Sequence, residues 1–183
     1  MGLFYDIIKD MKLVVGLGNP GKQYLWTRHN SGFLALDYYF TVHKLSFSDK
    51  PRLGALWSRR DDVIFIKPQD FYNESGRAVA DFARYYKISI SDILVICDNF
   101  DLELGKVRFR STGVAGGNNG LKSVDKYLGT PDYPRLRIGT GNDELRRKLG
   151  DVEFVLSRFT PEEKEKLPDI LTEVCQKIDE FLG

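Results

Sequence analysis

Residues Val14–Phe33 read VVGLGNPGKQYLWTRHNSGF, and the interpretation of this stretch decides the fold. Leu13, Val14 and Val15 make a short buried strand. Gly16, Gly18 and Gly21 around Pro20 then allow a sharp turn in which backbone comes close to a ligand. Asn19 sits at the tip of that turn. His29 follows between Arg28 and Asn30, in a segment with no continuous apolar face to hide it, so it is a candidate for chemistry rather than packing. Two generic motifs overlap here. Gly16, Gly18 and Gly21 match the dinucleotide fingerprint G-x-G-x-x-G after a strand. That motif needs a helix opening at its third glycine, whereas Asn30-Ser31-Gly32 interrupts any helix begun there, and the acidic candidate Asp37 falls within a helical pattern. The phosphate loop G-x-x-x-x-G-K, from Gly16 to Lys22, fails because Gln23 stands where a hydroxyl must reach magnesium.

Working outward, Phe33, Leu36, Tyr39, Phe40 and Leu45 predict a helix from about 31 to 45 that Ser31 can cap, with His43 an ordinary surface histidine on it. Leu53–Arg59 and Val63–Lys67 predict a hairpin ended by Pro68. Asn73-Glu74-Ser75 supplies capping residues for a helix that presents Val79, Phe82, Ala83 and Tyr86 and stops near Lys87. Ile93–Cys97, ILVIC, is a continuous apolar run suited to a strand buried on both faces of a mostly parallel sheet, and it ends at Asp98. A carboxylate at the exit of such a strand is where open α/β sheets place their sites. Val107–Arg110 is a further strand. Residues 112–120 form a glycine- and asparagine-rich turn with amides available, leading into a helix near Leu121, and Leu136–Thr140 is the last strand. Residues 139–150, polar, basic and punctuated by glycine, suit a mobile lid. Thr160-Pro161-Glu162-Glu163 is a capping signature for a closing helix whose apolar stripe is Leu167, Ile170, Leu171, Val174, Ile178 and Phe181, with Pro168 as a possible kink. Alternating strands and helices without repeats or linkers predict a single three-layer α/β domain: a mixed, mostly parallel twisted sheet with helices on both faces.

Composition sets limits on function. At 183 residues, with 42% apolar and 29% charged side chains, the chain suits one soluble globular domain. Cys97 and Cys175 are far apart and suggest neither a disulfide framework nor a zinc site, which fits a reducing, cytoplasmic setting. No run of about 18 apolar residues is present to span a membrane, and the first ten residues lack the basic start and apolar core of a signal peptide. The net charge of +1 conceals an uneven distribution: ten Lys and Arg against four acids between Leu104 and Lys148, and three lysines against seven acids from Thr160 to Gly183. A basic middle suggests a face for a polyanion, with scattered surface charge as the plainer alternative.

Four blocks, GLGNPGKQYLWTRHNSGF, KPQDFYNESG, CDNFDLELGKVRFR and GVAGGNNGLKSV, resemble the signature segments of bacterial-type peptidyl-tRNA hydrolases in order and spacing, over nearly the whole chain from Met11. Residues 1–10 are then an N-terminal extension to a domain over 11–183. The resemblance implies a monomeric, metal- and cofactor-independent enzyme that cleaves the ester between a peptide and the 3′ ribose of tRNA, releasing tRNA for reuse in translation. It implies no membrane and no obligate protein partner. By that resemblance His29 is the general base and Asp98 the carboxylate that orients it, while Asn19 distinguishes a blocked from a free amino end. Asn73 and Asn119 hold the peptide backbone and the tRNA 3′ end, and either could donate to the developing oxyanion. Tyr24 and Phe71 line the 3′ end, with core packing as their alternative. Arg110 and, after a one-residue gap, Arg137 clamp the 5′ phosphate of the acceptor stem.

The chain departs from the family pattern at four places. Asn118 and Cys97 stand where histidine is common, Tyr72 where methionine is, and Asn142 where the lid carries a His-Pro pair or similar. These put substrate positioning, not the base or its carboxylate, in question. The alternative function is a non-catalytic RNA-binding protein of the same fold, like a group II intron splicing factor. A nucleotide-dependent enzyme would need NAD or ATP at the Gly16 turn.

Overall fold

The computed structural model describes residues 11–48 and 50–183; the extension expected over 1–10 lies outside the described residues. The first strand, β1 (Lys12–Gly16), places Leu13 and Val15 on one face of the sheet and Val14 on the other, all fully buried. That period-2 alternation with apolar residues on both sides requires cover on both faces. The chain continues through α1 (Ser31–His43), β2 (Ala55–Arg60), β3 (Val63–Pro68), α2 (Gly76–Tyr86), β4 (Ile93–Glu103), β5 (Val107–Arg110), α3 (Asn119–Leu128), β6 (Arg135–Gly141), α4 (Asp143–Leu149), α5 (Asp151–Leu156) and α6 (Pro161–Leu182).

The strands lie in the order β2-β3-β1-β4-β6-β5. The four central strands are parallel, and β2 and β5 pair antiparallel at the two edges. Helices α2 and α3 cover the face carrying Leu13, Val15, Ile64, Ile66 and Val95, while α1 and α6 cover the face carrying Val14, Phe65, Leu94 and Ile96. This is the expected three-layer α/β arrangement. The strands that follow β1 in the parallel set fall on opposite sides of it, β3 on one and β4 on the other. The topological switch point of the parallel set therefore lies at β1, and the turn carrying Asn19 follows directly beyond its carboxyl end.

Several local expectations are corrected. Helix α1 ends at His43, not 45, because Lys44 turns left-handed (φ 54) and Leu45 N–H reaches back to the Phe40 carbonyl at 2.9 Å, a Schellman closure. Lys87 and Ile88 close α2 in the same way. Neither Ser31 nor the Asn73–Ser75 segment caps its helix through a side chain. The hydroxyls of Ser31 and Ser75 instead donate to the carbonyls of Arg28 and Tyr72, at 2.6 and 2.9 Å, closing the 3-10 turns that precede each helix. Strand β4 continues past Cys97 to Glu103, since β6 goes on pairing with it, so Asp98 lies inside the strand rather than at its exit. Residues 139–150 form the end of β6 followed by α4, whose first turn the Asn142 side chain caps and ties to Glu163. His43 is half-buried, with its ring 4.1 Å from that of Tyr39 and its Nε2 3.7 Å from Asp179. The capping box at Thr160 and Glu163 forms as the sequence predicts.

Candidate active site

His29 sits in a 3-10 turn, Arg28–Asn30, between the glycine-rich turn and α1. Its position is imposed from both sides. Ahead of it, Gly32 lies where a Cβ would collide with the Ile96 carbonyl and the Leu17 backbone, so only glycine lets α1 start this close to the end of β1 and the body of β4. Behind it, Arg28 is fully buried and spends its guanidinium on Ser157 Oγ (3.2 Å), the Thr140 carbonyl (3.0 Å) and Glu163 Oε2 (2.7 Å), over the rings of Phe154 and Phe159. Glu163 also accepts from Asn142 and from the Thr160 amide. Burial alone would raise its carboxyl, but the hydrogen bonds from Arg28, Asn142 and Thr160 outweigh this and hold it below the usual carboxylate range. The Arg28 amide bonds to the Ser157 carbonyl, and Thr27 forms a bridge with Arg158. The turn bearing the histidine is thus clamped to the start of α6. Sequence reasoning did not single out Arg28; the capping signature at Thr160–Glu163 was the available clue.

This placement brings His29 Nδ1 to 2.9 Å from Oδ1 of Asp98, although 69 residues separate them. Asp98 is 1% exposed, whereas the His29 side chain keeps 14% of its surface open. With Nδ1–H donating to the carboxylate, Nε2 of the neutral imidazole carries the lone pair. Tyr72 completes the group: its ring stacks on the imidazole with centroids 3.5 Å apart, its hydroxyl donates to the same Asp98 oxygen at 2.7 Å, and Asn118 Nδ2 donates to that hydroxyl at 2.9 Å. Gly120 makes room for the tyrosine, since a Cβ there would strike the ring. Burial first, and then the charge of Asp98, push the Tyr72 hydroxyl well above its ordinary value, so it remains a donor. Burial likewise pushes the Cys97 thiol up to about 12. Tyr72 and Asn118 were visible in the sequence only as departures from a pattern; their contact with Asp98 was not.

Asn19 is buried next to this group. Its Oδ1 accepts from the Tyr72 amide at 2.8 Å, and its backbone exchanges two hydrogen bonds with the Asn30 side chain. It borders a pocket of about 250 Å³ whose walls include Lys22, Leu25, Trp26 and Phe33. Trp26 holds a left-handed backbone (φ 66), which a bulky residue adopts only under constraint from its surroundings. No helix opens at Gly21; a single 3-10 turn, Lys22–Tyr24, follows it, so the condition set by the dinucleotide fingerprint is not met. Tyr24, half-buried, ends that turn. Phe71 is 64% exposed, which removes its core-packing alternative.

Asn73 and Asn119 are both exposed and share a different surface pocket with Glu74, Lys122, Lys126 and Tyr127. Arg110 is exposed on β5, opposite Arg135, while Arg137 donates to the Val114 carbonyl and lines a cavity of about 40 Å³ together with Asp98. Within the basic middle of the chain, Arg135, Arg146 and Lys148 are neutralised by Asp125, by Asp101 and Asp151, and by Glu144. Lys106, Arg108, Arg110, Lys122, Lys126, Arg137 and Arg147 form no ion pair among the described residues, and these are what remains to form a positive field. Among the described residues, no three His, Cys, Asp or Glu side chains are placed to hold a metal ion, and no helix is long and apolar enough to cross a membrane.

The family model described as Peptidyl-tRNA hydrolase matches residues 13–183. The peptidyl-tRNA hydrolase of Lactobacillus gasseri is 45% identical over 172 residues, covering 92% of this chain and 90% of that protein. That of Chlamydia trachomatis serovar L2b is 40% identical over 177 residues, covering 94% and 99%. The crystal structure of peptidyl-tRNA hydrolase from Acinetobacter baumannii superposes with a TM-score of 0.82 at 28% identity, covering 93% of this chain and 87% of that one.

Proposed function

The chain belongs to the peptidyl-tRNA hydrolase family and hydrolyses peptidyl-tRNA, and from that premise we propose that His29 and Asp98 carry the chemistry. The observation that supports this reading is the 2.9 Å contact between His29 Nδ1 and Asp98 Oδ1, which leaves Nε2 as a base on the open side of the ring. Nε2 takes a proton from water as the water oxygen bonds to the ester carbonyl carbon. The tetrahedral oxyanion then collapses, the bond to the ribose 3′ oxygen breaks, and the imidazolium returns the proton to that oxygen. Asp98 keeps the ring in its working tautomer and stabilises its charged form. Asn19, with its Oδ1 already engaged by the Tyr72 amide, has its amide nitrogen left to read the blocked end of the peptide, and the adjoining pocket receives the acyl side. Asn73 and Asn119 hold the peptide backbone and the 3′ end; Tyr24 and Phe71 stack on unpaired bases. Arg110 and Arg137 meet the acceptor-stem phosphates.

The reading extends to a single catalytic domain over 11–183 preceded by an extension at 1–10, acting as a monomer in the cytoplasm. A non-catalytic RNA-binding role on the same fold is not favoured, since the family model and the relatives are all named as hydrolases. The test is to incubate purified protein with N-acetyl-aminoacyl-tRNA and with unblocked aminoacyl-tRNA and follow ester loss. The blocked substrate is cleaved, the free one is spared, and His29→Ala loses hydrolysis while retaining tRNA binding. Near-wild-type turnover by His29→Ala would remove His29 from the role of base.

A further inference from the structure

We propose that Tyr72, held by Asn118, is a positioning residue that shares the Asp98 carboxylate with His29 and so sets the pH at which the imidazole becomes a base. The proposal rests on the reading of His29 and Asp98 given above. Its foundation is the direction of five hydrogen bonds. Asn118 Oδ1 accepts from the Leu121 amide at 2.9 Å, capping α3, which fixes the amide so that Nδ2 points to Tyr72 and to the Asp98 carbonyl. The Tyr72 oxygen therefore already receives a proton donor, and its own O–H is left to donate to Asp98 Oδ1. His29 Nδ1 bonds to that same oxygen. One carboxylate oxygen thus serves two donors, and each hydrogen bond it accepts spreads its negative charge and weakens its hold on the other.

The consequence has a definite sign. The Tyr72 hydroxyl stabilises the carboxylate independently of the histidine, so Asp98 favours the imidazolium less than an undivided carboxylate would. The active neutral form of the base consequently persists to lower pH. The stacked ring performs a separate task, keeping the imidazole plane aligned. Few other charges face the pair. Cys97 is a neutral thiol on β4, and Arg137 approaches Asp98 from β6 across the small cavity. Arg28 points away to Glu163. On α1, Asp37 is engaged by Lys67; on α5, Asp151 is engaged by Arg146 and Glu153 is exposed.

Tyr72→Phe removes the hydroxyl and keeps the ring. The readouts are the acid limb of the kcat/KM profile on N-acetyl-aminoacyl-tRNA and an NMR titration of the imidazole, which is tractable because the chain has only two histidines. Both midpoints should move to higher pH by roughly half a unit to one unit. Asn118→Ser retains a capping oxygen but cannot reach Tyr72, and should move them the same way by less; it also carries the test if Tyr72→Phe fails to fold. Midpoints that stay put, or that move to lower pH, overturn the proposal, as does a uniform loss of rate at every pH. If the imidazole midpoint moves and the acid limb does not, the tyrosine acts as proposed and it is the assignment of His29 as base that falls.

Discussion

Replacing Arg28 with methionine tests whether the clamp on the histidine turn is structural as well as catalytic. Methionine keeps most of the buried stem, so the loss comes from the guanidinium: bonds of 3.2, 3.0 and 2.7 Å to Ser157, Thr140 and Glu163, the last an ion pair between a fully buried arginine and a glutamate whose side chain is 9% exposed. Removing one member of such a pair costs about 3–5 kcal/mol. The lower end applies here, because Glu163 retains its bonds from Asn142 and the Thr160 amide. A domain of this size loses roughly 2–4 °C of melting temperature per kcal/mol, so Arg28→Met should melt about 6–12 °C below the parent. It should remain folded at 25 °C, given a typical total stability of about 5–15 kcal/mol. Loosening the turn should also lower kcat/KM by about tenfold or more. The pH dependence adds a second constraint. The Glu163 carboxyl is held low in the folded chain, so its contribution to stability is complete above the unfolded glutamate value of about 4.3 and is lost as pH falls through its folded value. The stability gap between parent and variant should therefore narrow below about pH 4. Thermal and urea unfolding across that range measure it. A melting point within about 2 °C of the parent, or a gap that widens in acid, would refute the clamp.

Asp98→Asn keeps the shape but removes the charge that supports the imidazolium, so kcat should fall by about 10²–10⁴ in stopped-time ester assays; an unchanged pH–rate profile would argue against the pair. Asn19→Ala should narrow the discrimination between N-acetylated and free aminoacyl-tRNA, and preserved selectivity would take Asn19 out of that role. Arg110→Ala should weaken tRNA binding and reduce the slope of log affinity against log salt by roughly one unit. Arg137→Ala should do so less, since that side chain is already engaged with the Val114 carbonyl; equal effects would contradict that ordering. If Arg110 holds the 5′ phosphate itself, removing that phosphate should weaken binding to the parent but not further weaken binding to Arg110→Ala, and simply additive losses would leave only a general positive field.

What the sequence determined by itself was whatever local periodicity and local chemistry control. Continuous apolar runs such as Ile93–Cys97 require a sheet covered on both faces, the Thr160–Glu163 box starts a helix from its own side chains, and the blocks around Asn19, His29, Asn73 and Asp98 carry the family likeness. Element ends were less legible, because they depend on partners distant in the chain. Strand β4 runs past Cys97 only because β6 lies beside it, and the polar stretch after Gly139 opens as the end of β6 for the same reason, whereas the helix that follows is capped locally by Asn142 and only then tied to the distant Glu163. The site followed the same division. His29 and Asp98 could each be picked out as reactive residue types, but their 2.9 Å contact depends on Gly32 admitting α1 against β1 and β4 and on Arg28 reaching α6. Tyr72 and Asn118 read as mere departures along the chain. Tertiary structure alone turned them into a donor relay on Asp98, because a hydrogen bond depends on distance and direction in space and leaves no period in the sequence.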